Sequence, residues 1–317
     1  MAKRQVNPHA VYHRKSFTYI MSRYWELYLL LLLPLIYLVL FKYIPMVGVQ
    51  IAFRKYKVKY GMWGSQWVGL KQFEKFLSSY MFERVVGNTL RLSLYSLFAG
   101  FPMPIIFALM LNAMLGKRYR SFIENVAYIP HFISTVVMVG ILMQVFDTRI
   151  GIFAKVYTFF NGAGAKVPNM FGVADAFPHL YVWSGIWQGL GWDTVIYTAA
   201  LAGVDPELHE AALIDGATRY QRLLHVDLPA IVPTITITLI LRCGHIMGIG
   251  FDKAYLMQND LNLSTSEVIA TYVYKQGIIK SQYEFSTAVD LFNSVVNQLL
   301  LTTMNFIARK VNDTSLF

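Results

Sequence analysis

The sequence predicts an all-α integral membrane protein with six transmembrane helices, and three observations carry that expectation. Of its 317 residues, 56% are hydrophobic and only 15% are charged, a balance that soluble domains of this length seldom show. The apolar residues are clumped into spans near Leu27–Val47, Thr89–Leu111, Ile123–Phe146, Leu180–Ala202, Ile231–Phe251 and Ser286–Ile307. Each is long enough for a helix to cross roughly 30 Å of hydrocarbon. A transmembrane β-barrel needs alternating strands of about ten residues instead. Thr234, Thr236 and Thr238 do alternate with apolar residues, but the span that holds them is too long and continuous for a strand.

Taken in order, the tail Met1–Glu26 is basic and aromatic, and it suits the inner membrane surface. The first apolar run follows only after this tail and has no small-residue cleavage site behind it, so Leu27–Val47 reads as a retained helix rather than a secretory signal. Val49–Val86 is a first outer loop whose Trp63 and Trp67 suit an interface. Lys117–Arg120 is a compact basic turn on the inner side. NGAGAK, Asn161–Lys166, is a turn in the second outer loop, and Asp252–Phe285 is a third outer loop, polar and mixed in charge. The helices form one membrane domain over 27–310, with a short tail at 311–317. Basic residues divide almost evenly between the two sides, but the N-terminal tail and Lys117–Arg120 place both termini in the cytoplasm. The formal charge of +10 belongs to the flanks of a membrane chain and does not imply nucleic acid.

Much catalytic chemistry is missing. GAGAK at Gly162–Lys166 lacks the spacing and the hydroxyl residue of a phosphate loop, and no HExxH, GxSxG or CxxC pattern occurs. Cys243 is the only cysteine, and His131, His179, His225 and His245 are scattered, so no metal site is expected. The chain is not expected to be an enzyme or to bind ATP itself. Uphill movement of a solute then draws on an ion gradient or on another polypeptide.

One charged stretch interrupts the second half: "HEAALIDGATRYQRLLHVDLPAIVP", from His209 to Pro233, within the inner segment 203–230. Asp205 is placed to cap a helix, Pro206 suits its first position and Glu207 faces the positive end of its dipole. Asp215-Gly216 stops it, because glycine adopts the left-handed conformation at such an end. A second short helix from Thr218 is expected to close at Leu228-Pro229. The pair forms a knob whose Ala211, Ala212 and Ala217 keep the surface low and whose Glu210 offers charge to a basic partner.

This stretch resembles the "EAA" signature of permease subunits of type I ABC importers: Glu210-Ala211-Ala212, three residues, Gly216, nine residues, then Val226-Asp227-Leu228-Pro229, with Val226 where isoleucine is usual. "YIPMVGVQIAF" (Tyr43–Phe53), "VGLKQFEKF" (Val68–Phe76), "YIPHFIST" (Tyr128–Thr135), "GIWQGLGWDTVIYTAALAGVDPELHEAALIDGA" (Gly185–Ala217) and "FSTAVDLFNSVVN" (Phe285–Asn297) are similar to oligosaccharide permeases of the lipoprotein-linked polysaccharide uptake group. The resemblance implies that the knob, with Glu210, Ala211, Ala212, Asp215, Gly216, Ala217, Leu228 and Pro229, is a pair of coupling helices seated in a separate ATPase. It further implies a heterodimer with a second permease, two ATPase subunits that hold ATP and Mg, an extracellular sugar-binding lipoprotein and a bacterial cytoplasmic membrane.

Polar residues inside spans are costly and usually face a cavity or a neighbouring helix. Asp290, Asn293 and Asn297 share one face of the last span, Arg242 and His245 lie three apart in the fifth, and Gln188 sits among Trp183, Trp187 and Trp192 in the fourth. These residues suit hydrogen bonding and stacking to sugars. They equally suit interhelical contacts and an aromatic belt, and Arg242 is also placed to pair with Asp290. Gly244 and Gly248 suit close helix packing. Between Gly48 and Gly87, Arg54, Lys55, Lys57, Lys59, Lys71, Lys75 and Arg84 outnumber Glu74 and Glu83. That excess favours an anionic ligand such as a uronate-containing pectin or xylan fragment, or an acidic docking protein, or anionic lipid. An ion-coupled secondary transporter using Asp193 and Asp290 is the alternative class, and a membrane enzyme has no motif behind it.

Overall fold

The computed structural model describes residues 17–162 and 164–312. Most of the expected N-terminal tail, Ala163 of the NGAGAK turn and most of the expected tail at 311–317 lie outside the described residues. The described chain is mainly helical, and its principal helices are α1 (Trp25–Phe53), α2 (Met81–Asn112), α3 (Lys117–Phe132), α4 (Thr135–Val145), α5 (Ile152–Asn161), α6 (Ala176–Ala202), α7 (Pro206–Ile214), α8 (Arg219–Gly244), α9 (Phe251–Met257), α10 (Ile269–Tyr274) and α11 (Tyr283–Asn312).

By length and composition, α1, α2 and α8 are each able to cross a membrane, and α3 and α4 together make a fourth candidate, bent by 99° at their junction. Helices α6 and α11 have 27 and 30 residues, so at 1.5 Å per residue they too exceed the hydrocarbon thickness, though their polar content is higher.

The predicted third span, Ile123–Phe146, is therefore two helices. Pro130 lies in the tight turn Ile129–Phe132, and the Ser134 side chain accepts a bond from the Val137 N–H, which restarts the helix in a new direction. The fifth span, Ile231–Phe251, also fails to run through. Helix α8 ends at Gly244, and Gly248 and Gly250 follow in an irregular segment before α9 begins. Glycine gives up about 1 kcal/mol of helix propensity per position relative to alanine, and three within this short stretch end the helix.

Two further expectations need correction. The fold is not purely helical: Arg54–Lys57 (β1) pairs antiparallel with Ser65–Trp67 (β2) in the segment that follows α1. The Ser65 hydroxyl donates to the Gly61 carbonyl and accepts from the Lys57 N–H, which ties the turn between the strands. The Asp252–Phe285 segment is not an open loop. It contains α9 and α10, and Asn262, Ser266, Glu267 and Thr271 are buried. Asn262 satisfies itself against the carbonyls of Phe171 and Met257, and Lys275 pairs with Glu267 at 3.0 Å. Such groups tolerate burial because they are bonded.

Three apolar clusters join the helices. Leu92, Met138, Phe177, Leu180 and Met257 bring α2, α4, α6 and α9 together. Phe76, Val85, Tyr272, Phe285 and Val289 join the short helix Lys71–Leu77 to α2, α10 and α11. Ile105, Leu109, Tyr197, Leu201 and Ile231 link α2, α6 and α8. In hydrocarbon the gain comes from close packing rather than from leaving water. Glycines allow it at two contacts: a Cβ on Gly191 would collide with the Ala127 backbone carbonyl of α3, and one on Gly244 would collide with the Leu301 side chain of α11. Gly244 thus has the packing role expected of it. By contrast, α1 is exposed along nearly its whole apolar length and touches the rest mainly through its end, Val47–Phe53, beside α11.

Candidate functional site

The charged stretch folds as the spacing predicts at its first half. The Asp205 side chain accepts from the Glu207 N–H at 2.9 Å, and Pro206 opens α7. The helix closes with paired bonds, Gly216 N–H to the Leu213 carbonyl and Ala217 N–H to the Ala212 carbonyl, around Gly216 at φ +76°. This is the glycine-dependent helix stop in which orphan carbonyls are satisfied by a left-handed residue. Thr218 and Gln221 then form a reciprocal capping box for the next helix.

The second half differs from expectation, because Leu228-Pro229 does not close the second helix. Instead α8 passes through a wide turn at Leu223–Asp227 and continues into the membrane-length run to Gly244. Pro229 has no N–H for the His225 carbonyl, and its ring crowds that group. One wide turn ahead of it absorbs the mismatch without ending the helix. The second short helix is therefore one rigid piece with a long membrane-length helix.

Glu210, Ala211, Asp215, Gly216 and Pro229 are exposed, and Ala212, Ala217 and Leu228 are half-buried. Beside them Leu208, Leu213, Ile214 and Tyr220 are also exposed, with Ile214 at 86%. Beneath this surface lies a buried tie that the sequence pattern did not suggest. Asp227 accepts from the Asn112 side chain at 3.1 Å and lies 3.3 Å from His209 Nε2. The tie fastens α7 to the end of α2 and the start of α8. The only sequence signal was the polar trio itself, spread over three elements.

The polar residues of the spans separate into groups. Arg242 pairs with Asp193, not with Asp290. Arg242 and Gln188 border a cavity of about 240 Å³ together with Ser96, Tyr181, Gly185, Asp193 and Lys253. Arg242 and His245 border an adjoining cavity of about 320 Å³, which shares Ser96 and Tyr181 with the first. Gln188 also donates to the Ile133 carbonyl at 2.7 Å, the carbonyl left free by the bend between α3 and α4. Asn297 accepts from the Met247 N–H at 2.9 Å, an orphan of the break after α8. Both residues thus hold irregular backbone in place. Trp187 lines a separate, mainly apolar cavity of about 670 Å³ with Trp183 and His179. Trp183 donates to the Tyr95 hydroxyl, which bonds His179, and Trp192 stacks on His131 at 4.5 Å. Asp290 is exposed on α11, and Asn293 has a buried side-chain oxygen with no partner. Neither borders the two polar cavities. Lys253, in the segment Asp252–Phe285 expected as a third outer loop of mixed charge, lines the first cavity. Its signal was a lysine beside Asp252 in the otherwise apolar stretch Gly250–Met257.

Residues 100–312, which include the signature stretch and both polar cavities' α6 and α8 walls, match the family model described as "Binding-protein-dependent transport system inner membrane component". The chain belongs to that family. Among curated relatives, it is 42% identical to Protein LplB of Bacillus subtilis over 92% of this chain and 91% of that one. It is 38% identical to the polygalacturonan/rhamnogalacturonan transport system permease protein YteP of the same organism, over 92% and 90%. Among solved structures, it is similar to a chain of a bacterial ABC transporter involved in the import of the acidic polysaccharide alginate. The TM-score is 0.85 and the identity 34%, covering 93% of this chain and 99% of that one. A second structure of a bacterial alginate ABC transporter, in complex with an alginate pentasaccharide-bound periplasmic protein, matches at the same TM-score and identity.

Proposed function

We propose that this chain is a membrane permease subunit of an ATP-driven, binding-protein-dependent importer, and that the importer takes up oligosaccharides rich in uronic acid. The observation that carries the reading is agreement over nearly the whole chain with relatives named for sugar import, two of them for acidic polysaccharides. Six membrane crossings with both termini in the cytoplasm fit the four candidates by composition together with the lengths of α6 and α11. The exposed α7 surface around Glu210 is the docking face for an ATPase that supplies ATP and Mg. A second permease, two ATPase subunits and a sugar-binding lipoprotein complete the assembly in a bacterial cytoplasmic membrane. Movement at the docking face reaches the polar cavities through α8, to which the His209–Asp227 contact fastens α7. Asp193 is held by Arg242, which leaves it poorly suited to carrying a coupling proton.

The test is uptake of labelled oligogalacturonate by vesicles containing the whole complex and its binding protein. Uptake is expected with ATP inside and no ion gradient. Uptake driven by a proton or sodium gradient without ATP would replace this reading with an ion-coupled transporter.

A further inference from the structure

Lys253 sits third in α9, where the glycine-rich break after α8 turns the chain back against α6. Its ammonium donates to the Tyr181 backbone carbonyl at 2.7 Å and lies 4.6 Å from the centre of the Tyr181 ring. Among the described residues no carboxylate lies within 4 Å of it. The chain makes room for this head group at Gly185, where a Cβ would stand 3.0 Å from the lysine nitrogen. The other basic side chain on the cavity wall, Arg242, is already matched by Asp193. Lys253 is therefore the basic group on this wall without a carboxylate partner; burial pushes its pKa down to about 7, and a carboxylate bound beside it would hold it charged. An ammonium has three N–H donors, and the Tyr181 carbonyl takes one.

The surrounding groups suit a sugar. Ser96 and Gln188 line the same cavity, and Ser93 borders the adjoining one with a buried hydroxyl that has no partner. A partly desolvated cation beside hydroxyl and amide groups is completed by a carboxylate on a polyhydroxylated ligand, because charge-assisted bonds strengthen where water is scarce.

Resting on the importer reading above, we propose that Lys253 is the carboxylate-binding residue of the permeation cavity and selects uronate units over neutral ones inside the membrane protein. Selection at this point adds to whatever discrimination the binding protein exercises. A charge-assisted bond of about 1.5–3 kcal/mol corresponds to roughly ten- to a hundredfold in discrimination.

The experiment uses the whole complex in vesicles with its binding protein and ATP. It compares uptake of tetragalacturonate with uptake of its fully methyl-esterified form, which keeps the size and hydroxyls and removes the charge. The wild-type complex is expected to favour the acid. Lys253→Gln, which retains a donor for the Tyr181 carbonyl, is expected to lower the acid-to-ester uptake ratio about tenfold. Lys253→Arg, which retains the charge, is expected to keep the ratio within about threefold of wild type. A Lys253→Gln complex that assembles normally and loses both activities in equal proportion would overturn the proposal, because a purely structural lysine lowers both together. An unchanged ratio in Lys253→Gln would overturn it as well. Uptake of the ester alone by the wild type would overturn the acidic substrate class, and uptake of neither sugar would overturn the importer reading beneath it.

Discussion

Glu210 stands exposed on α7 six residues before the stop at Gly216, with Leu213 and Ile214 beside it. A charge ringed by apolar side chains is the pattern of a surface made to be covered. Glu210→Lys reverses the charge toward a basic partner without touching a membrane-length helix. It is expected to abolish transport and to cut co-purification of the ATPase at least about tenfold, the loss expected for a charge-assisted contact. Gly216→Val forces a β-branched residue into φ +76°, a cost of order 1–2 kcal/mol or more, and is expected to act in the same direction. Asp290→Asn is expected to leave ATPase binding intact, since Asp290 lies on α11 away from α7. Pull-down of the ATPase with each variant, beside uptake, decides the matter. Wild-type transport by Glu210→Lys removes the docking role.

Two breaks shape the helices, and each is held by a side chain from elsewhere. The bend between α3 and α4 frees the Ile133 carbonyl, and the Gln188 amide on α6 satisfies it. The break after α8 frees the Met247 N–H, and Asn297 on α11 satisfies it. Such side chains convert potential weak points into fixed corners, because leaving a buried backbone group unpaired costs about 1–3 kcal/mol. Gln188→Leu is expected to destabilise the protein by about that amount. Its thermal unfolding midpoint in detergent should fall, while Gln188→Glu, which loses the donor and adds charge, should fall further. An unchanged midpoint in Gln188→Leu shows that water or a shifted helix takes over at the Ile133 carbonyl.

Over the whole molecule, burial is uneven. Helices α2, α6, α9 and α11 share three packed clusters, whereas α1 shows Leu30 at 72% and Leu33 at 76% exposure. An apolar helix in that position is stable only against lipid or another membrane protein. With the chain alone in a bilayer, a lipid-dissolved carbene reagent is expected to label α1 several-fold more heavily than Phe177 or Val182, which are buried. Equal labelling of the two regions by peptide mass mapping contradicts this arrangement. Loss of α1 labelling on assembly marks contact with the second permease.

The sequence by itself determined the membrane class, the apolar runs though not where the third and fifth of them break, the cap at Asp205 and the stop at Gly216. All of these rest on local signals: long apolar runs, a capping carboxylate and a residue free to be left-handed. It also carried the family signature, because Glu210-Ala211-Ala212 and Gly216 lie close enough in the chain to be read together. The tertiary structure alone decided which polar residues meet. Arg242 found Asp193 forty-nine positions away, Asp227 found Asn112, and Gln188 and Asn297 were drawn into repairing backbone. It also turned Lys253 from a loop charge into a cavity wall. Helical spacing reports which side chains share a face, not which neighbour that face meets, since the neighbour is set by where Gly191 and Gly244 let helices approach and by where glycines and prolines break them.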